Sequence, residues 1–112
     1  MGLVGEELAC DHLRKKGYII VERGFRMVRG EIDVVARDGD TLVFVEVKTR
    51  ADESYGRPEE SVTPAKQRQI RRIAQGYLVA RSLGEVPCRF DVVAILYRGP
   101  EDYRLEHFVD AF

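Results

Sequence analysis

Two carboxylates and a lysine stand at strand spacing in this chain. Asp33 closes the run Gly30-Glu31-Ile32-Asp33, and after twelve intervening residues comes Glu46-Val47-Lys48. Strand side chains alternate faces, so Glu46 and Lys48 share a face with Phe44, and Asp33 shares one with Glu31 and Val35. The intervening Asp38-Gly39 is a hairpin signal. If Asp38-Gly39 is a two-residue loop, Asp33 pairs with Phe44 and lies diagonal to Glu46. If Gly39-Asp40 is the loop, Asp33 lies opposite Glu46. Either register puts Asp33, Glu46 and Lys48 on one face, and only an odd-length loop would part them. Carboxylates side by side on a half-buried sheet repel unless a cation neutralises them. Oxygen ligands without His or Cys favour Mg2+ or Mn2+ over zinc. Mg2+ takes one or two carboxylates, keeps several waters and draws other ligands from substrate phosphate. Lys48, one pleat beyond Glu46, can orient an attacking water or stabilise transition-state charge. These are the parts of phosphodiester hydrolysis. The competing reading, a hairpin with exposed alternating charges, explains poorly why the charges interrupt such apolar strands.

The elements that must position this set are legible on either side of it. Residues 3–16 read as a helix with a broad apolar surface, stopped by Gly17. Within it Glu6 has Ala9, Cys10 and Leu13 at its helical neighbours and sits with the buried side, whereas Glu7 faces water. A carboxylate on the buried side needs a partner. Strands are expected at 18–25, 31–37 and 41–49. Residues 50–62 read as a polar loop, long enough to suspect a lid or binding loop. Thr63-Pro64 opens a second helix as N-cap and first helical residue, and Gly84 ends it. Its stripe is Ile70, Ile73, Ala74, Tyr77 and Leu78. A near-continuously apolar strand follows at 89–97, suggesting burial on both faces, and a last edge strand at 103–109. The expected architecture is α/β: a three-strand antiparallel meander, a right-handed crossover helix, and a parallel fourth strand in a mixed sheet flanked by helices.

Chain length, 112 residues, suits one domain spanning 1–112. Hydrophobic residues make up 45%, enough for a core, and charged residues 33%. No apolar run approaches the ~20 residues of a membrane span, and the first residues lack the pattern of a signal peptide, so a cytoplasmic protein is expected. Cys10 and Cys88 are far apart, each alone, and read as reduced packing residues. His12 and His107 have no ligand-spaced partner and read as structural or surface residues. The net charge of −1 hides an asymmetry. Between Pro64 and Ser82 stand five basic residues, Lys66, Arg68, Arg71, Arg72 and Arg81, and no acidic one. Arg68, Arg71 and Arg72 are the best candidates for phosphate-backbone contacts. Lys66 begins the sheet-facing stripe, so it either reaches the site or a phosphate at the helix N-terminus, or snorkels at the end of an apolar face.

Gly30-Glu31-Ile32-Asp33 with Phe44-Val45-Glu46-Val47-Lys48-Thr49-Arg50 resembles the PD-(D/E)xK nuclease signature. More narrowly, the chain resembles the YraN-like family of bacterial proteins, itself similar to archaeal Holliday junction resolvases. Gly5-Glu6 with Ala9, Lys66, and Arg89-Phe90-Asp91-Val92-Val93 also match, and the likeness covers nearly the whole chain. Ile32 stands where the broad signature has proline, as is usual in the narrower family. The resemblance implies a restriction-endonuclease-like fold, with Glu6, Asp33, Glu46 and Lys48 carrying the site.

Three functions follow as expectations. The first is a metal-dependent endonuclease hydrolysing DNA phosphodiester bonds, structure-selective for branched or junction DNA. The second is a non-catalytic nucleic-acid-binding module of the same fold, and the third a protein-interaction fold with the carboxylates as salt-bridge partners. The intact Asp33, Glu46 and Lys48 set favours the first over the second, and the basic helix favours both over the third. A resolvase of this size needs two coordinated cuts and so would act as a homodimer. The apolar end of the chain, to Phe112, could pack on its own sheet or on a partner.

Overall fold

The computed structural model describes residues 2–52 and 62–112. The order is α1 (Gly2–Lys15), β1 (Ile19–Met27), β2 (Gly30–Asp38), β3 (Thr41–Arg50), α2 (Pro64–Ala80), β4 (Cys88–Gly99) and β5 (Asp102–Phe108). One five-stranded sheet runs β1-β2-β3-β4-β5. Its pairs are antiparallel except β3 with β4, which is parallel and joined through α2. The expected mixed sheet with a meander, a crossover helix and a parallel fourth strand is what forms. Strand ends differ from the sequence reading by a residue or two, and the 50–62 loop lies largely outside the described residues.

Each helix covers one face. Ala9, Cys10 and Leu13 of α1 pack with Tyr18, Val34, Ala36, Val43, Val45, Val93 and Ile95. Ile70, Ile73, Ala74 and Tyr77 of α2 pack with Phe25, Ile32, Val35, Phe44, Phe90 and Val92. β2 and β3 therefore send alternate apolar side chains to two cores, which is why both are apolar without a break in the middle. α2 starts where the sequence sets it. Pro64 fits the first turn, and the Thr63 hydroxyl accepts from the Lys66 backbone N–H at 3.2 Å. The helix ends before Gly84, because Ser82 already turns into the left-handed region at φ 54.

The β2–β3 hairpin turns on Gly39-Asp40, since Asp38 pairs with Thr41. Gly39 takes φ 61, which a glycine adopts without steric cost. The ladder continues to Val34–Val45 and stops there.

A buried ion cluster closes the other end of the α1 core. Asp91 is fully buried. It accepts from Arg89 Nε at 2.9 Å and Nη2 at 3.1 Å, from His107 Nε2 at 2.7 Å and from the Asp110 backbone N–H at 3.0 Å. Lys16 Nζ donates to His107 Nδ1 at 3.0 Å, so the ring proton sits on Nε2 and points to Asp91. Arg89 also reaches Asp38 at 2.9 Å and the Tyr18 hydroxyl at 2.6 Å. One carboxylate thus ties β4, β5 and the chain end together. The end docks on its own sheet: Ala111 N–H bonds the Phe90 carbonyl at 2.7 Å, and Phe112 stacks on Phe90. His107 is structural, as expected, and so is Cys10, whereas Cys88 is exposed at the start of β4.

Burial alone would raise the Asp91 pKa. Its bonds from His107, Arg89 and the Asp110 amide outweigh burial and hold it at about 2, below the ordinary 3.8. A depressed carboxylate contributes stability above its unfolded value and loses it as pH falls toward 2. Asp91→Ala leaves Arg89 with only Asp38 and Tyr18, strips His107 Nε2 and the Asp110 amide of their acceptor, and is expected to cost on the order of 3 kcal/mol in urea unfolding at pH 7. The difference from wild type should shrink on acidification from pH 4 to pH 2.

Candidate active site

Beyond Val34–Val45 the two hairpin strands no longer pair, and the carboxylates sit at this exit. The observed register extrapolates to Asp33 opposite Glu46. Asp33 Oδ2 accepts the Val47 backbone N–H at 2.7 Å, a donor that the ended ladder leaves open. Strict alternation from Val34 would put Ile32 in the α1 core, yet Ile32 packs in the α2 core with Phe25 and Val35. β2 therefore twists at Asp33, which brings its carboxylate toward β3.

Glu46 is buried, with 8% of its side chain exposed. Its Oε2 has no hydrogen-bond donor against it. Among the described residues, Lys66 Nζ, from the first turn of α2, is the nearest cation, 3.8 Å from that oxygen. Burial first, then the facing Asp33 carboxylate, pushes the Glu46 pKa up from 4.5 to about 8, while Lys66 and Lys48 pull it down. Without a bound cation, Glu46 therefore carries a proton at neutral pH, and that proton makes contact with Asp33 tolerable.

The two carboxylates open into a cavity of about 390 Å³ whose other walls are Lys66, Arg26, Met27, Gly30 and Glu31. Lys48 lies two residues beyond Glu46, half-buried on the same side of β3. Asp33, Glu46 and Lys66 thus line one cavity, and Lys48 stands near enough to Glu46 to act on it electrostatically without lining that cavity. A larger cavity between Val62, Val92, Phe108 and Phe112 is lined mostly by apolar groups and holds no carboxylate.

Glu6 does not line the cavity. Its α1 packs on the opposite face of the sheet, and its Oε1 accepts from Arg23 Nε at 3.1 Å. The partner that its burial demanded is Arg23 of β1, which also donates to Glu7 at 2.6 Å. Arg68, Arg71 and Arg72 are exposed on α2. The Arg71 guanidinium lies over the Phe90 ring, 4.7 Å from its centroid. Arg81, part of the same basic run, is bound to Glu22 at 2.6 Å and neutralised within the fold.

Among the described residues, no group of three or more His, Cys, Asp or Glu converges to hold a metal. The donor set is therefore two carboxylates with a buried, unpartnered oxygen. That set fits a divalent cation taking its remaining ligands from water and phosphate, and does not fit zinc.

A family model described as "Uncharacterised protein family UPF0102" matches residues 5–95. The chain belongs to the UPF0102 family. Over its full length it is 52% identical to a UPF0102 protein of Geotalea uraniireducens, covering 88% of that protein. It is 49% identical to a UPF0102 protein of Geobacter sulfurreducens, again over 88% of it, and 48% identical to one of Chlorobium limicola, over 91%. The span matched by the family model, residues 5–95, contains the positions of Glu6, Asp33, Glu46, Lys48 and Lys66. No described helix of this UPF0102 chain is long and apolar enough to cross a membrane.

Between pH 4.5 and about 8 folded Glu46 holds a proton that the unfolded chain releases. The folded state binds more protons in that window, so metal-free stability falls as pH rises through it. Glu46→Gln is expected to flatten the slope and to raise stability at pH 8 by roughly a few kcal/mol. Thermal melts in EDTA at pH 5 and pH 8 measure both effects.

Proposed function

We propose that this protein is a metal-dependent endonuclease that hydrolyses DNA phosphodiester bonds. The observation that carries the reading is the contact between half-buried Asp33 and buried Glu46, with the orphaned Glu46 oxygen, beside Lys66 in an open polar cavity. Such a contact costs stability in the empty protein, and it gains a use when a cation displaces the shared proton. Asp33 and Glu46 would hold Mg2+ or Mn2+, which when bound supplies charge to a phosphate oxygen and lowers the pKa of a water ligand. The chain's residues do the rest. Asp33 is fixed by the Val47 amide, so its free oxygen is aimed rather than floppy. Lys48 is set to donate to a non-bridging phosphate oxygen or to hold the attacking water. Lys66, at the start of α2, draws the phosphate toward the carboxylates. Arg68 and Arg72 are exposed along the same helix for contacts with neighbouring phosphates, and Arg71 joins them from its seat on Phe90.

One observation favours the non-catalytic nucleic-acid-binding module instead. Glu6, the third carboxylate that the nuclease resemblance implies, is tied to Arg23. The test is cleavage of duplex, flap, single-stranded and four-way-junction DNA with Mg2+ or Mn2+. Asp33→Asn, Glu46→Gln and Lys48→Ala are each expected to lower the rate by on the order of 10²–10³ with the fold intact. Full activity in any one removes that residue from the site, and inactivity of the wild type on every substrate leaves the binding module.

DNA affinity is expected to weaken about equally on all sequences when Arg68, Arg71 and Arg72 are changed together to alanine. The slope of log affinity against log salt should flatten by roughly two to three units. Fluorescence anisotropy across a salt series reads both, and unchanged binding would return these arginines to a solvated helix face.

A further inference from the structure

The turn between β1 and β2 is made of residues that turn chemistry disfavours. Met27 pairs with Gly30, so Val28 and Arg29 are the two central residues of a tight hairpin. Such turns favour Asn, Asp or Gly, because one or both positions require positive φ. Here Arg29 takes φ 71, a region in which a residue with a Cβ is strained. Its companion is a β-branched valine.

Among the described residues, no packing of the Val28 side chain rewards that choice. Val28 is 81% exposed, the highest value among the large apolar side chains described. A lone exposed valine is ordinary on a protein surface. This one caps a turn that the rest of the molecule braces. The Gln69 side-chain amide donates to the Arg29 carbonyl. Ile73 packs on Gly30, and Met27 packs on Gly76, where no side chain would fit. Arg26 is fixed to Glu31 at 2.9 Å. The braced hairpin end is one wall of the cavity that holds Asp33 and Glu46.

A rigid projection with an apolar tip and an exposed guanidinium beside it has the chemistry of a wedge. Proteins that kink or open nucleic acid insert apolar side chains between base steps and use neighbouring arginines on the backbone. We propose that Val28 enters an unstacked base step beside the phosphate that Lys66 draws to the Asp33–Glu46 cavity, while Arg29 contacts the flanking phosphate. The inference rests on the nucleic-acid reading above and names its substrate class: DNA whose stacking is already interrupted at a flap, nick or branch. Unstacking costs least there, so the wedge converts a general backbone affinity into preference for distorted DNA.

The experiment places 2-aminopurine at the branch step of a flap DNA and, separately, inside an unbroken duplex, with Ca2+ in place of Mg2+ so that cleavage does not intrude. Wild type is expected to raise the fluorescence several-fold on the flap and little on the duplex, and to bind the flap about tenfold more tightly. The double variant Val28→Asn with Arg29→Gly installs the inexpensive turn. It should abolish the fluorescence rise and the flap preference while the melting temperature stays the same or increases. A variant that keeps the rise and the preference overturns the wedge, and so does one that loses stability, because the turn would then be structural. The parent reading is separable. If no DNA is ever cleaved but the Val28-dependent rise persists, the wedge stands and the catalytic reading fails. If wild type binds no DNA, both fail.

Discussion

Two carboxyl groups pressed together where a β-ladder ends are the constraint on which the rest of this structure turns. Asp33 and Glu46 come from different strands, and the Val47 amide at their junction donates to Asp33. Glu46 is left buried with an oxygen that no donor reaches. An apolar pair in the same place would complete the sheet at lower energy. The protein instead keeps two acids in contact and supports them with a proton, with Lys66 at a distance, and with Lys48 on the same strand face. Such an arrangement is stable only in part, and under the function proposed above a divalent cation would complete it.

The architecture serves that junction. α2 begins at Thr63-Pro64, so its third residue, Lys66, stands over the carboxylates. Its stripe then runs down the sheet and anchors the helix by Ile70, Ile73 and Tyr77. Gln69, between these, ties the β1–β2 turn to the helix and fixes the far wall of the cavity. On the other face α1 and the Asp91 cluster hold the sheet without touching the site. The costs are separated accordingly. Asp91 is buried with every lone pair well used, and its pKa falls; Glu46 is buried with one oxygen unused, and its pKa rises. The first is a clamp, and the second leaves an acceptor open.

Much of this was legible in the sequence because it depends on periodicity. The hairpin could turn on Asp38-Gly39 or Gly39-Asp40, and both choices preserve the parity that joins Asp33 to Glu46 and Lys48. The helical stripe of α2 and its Thr-Pro start set Lys66 at the head of the sheet-facing stripe, but left open whether it reaches the carboxylates or snorkels past them. What was not legible depends on contacts between distant residues. Asp91 was the one charge inside an apolar strand, the same signal that singled out Asp33 and Glu46, but its partners His107 and Asp110 follow only from the β4–β5 register. Arg23 carries no pattern that marks it as the partner of Glu6. The Val28-Arg29 turn was invisible because neither residue is a turn former, and its conformation is imposed by α2 rather than by local preference. Cys88 is exposed because β4 begins before the apolar run does.

The central claim, that the Asp33–Glu46 contact is a cation site held shut by a proton, is tested most directly by calorimetric titration of Mn2+ at pH 7 in two buffers of different ionisation enthalpy. The account gives one ion bound per chain with release of close to one proton, since Glu46 titrates near 8 before binding. Both the binding and the proton release should vanish in Asp33→Asn. Binding that releases no proton, or that persists unchanged in Asp33→Asn, would contradict it.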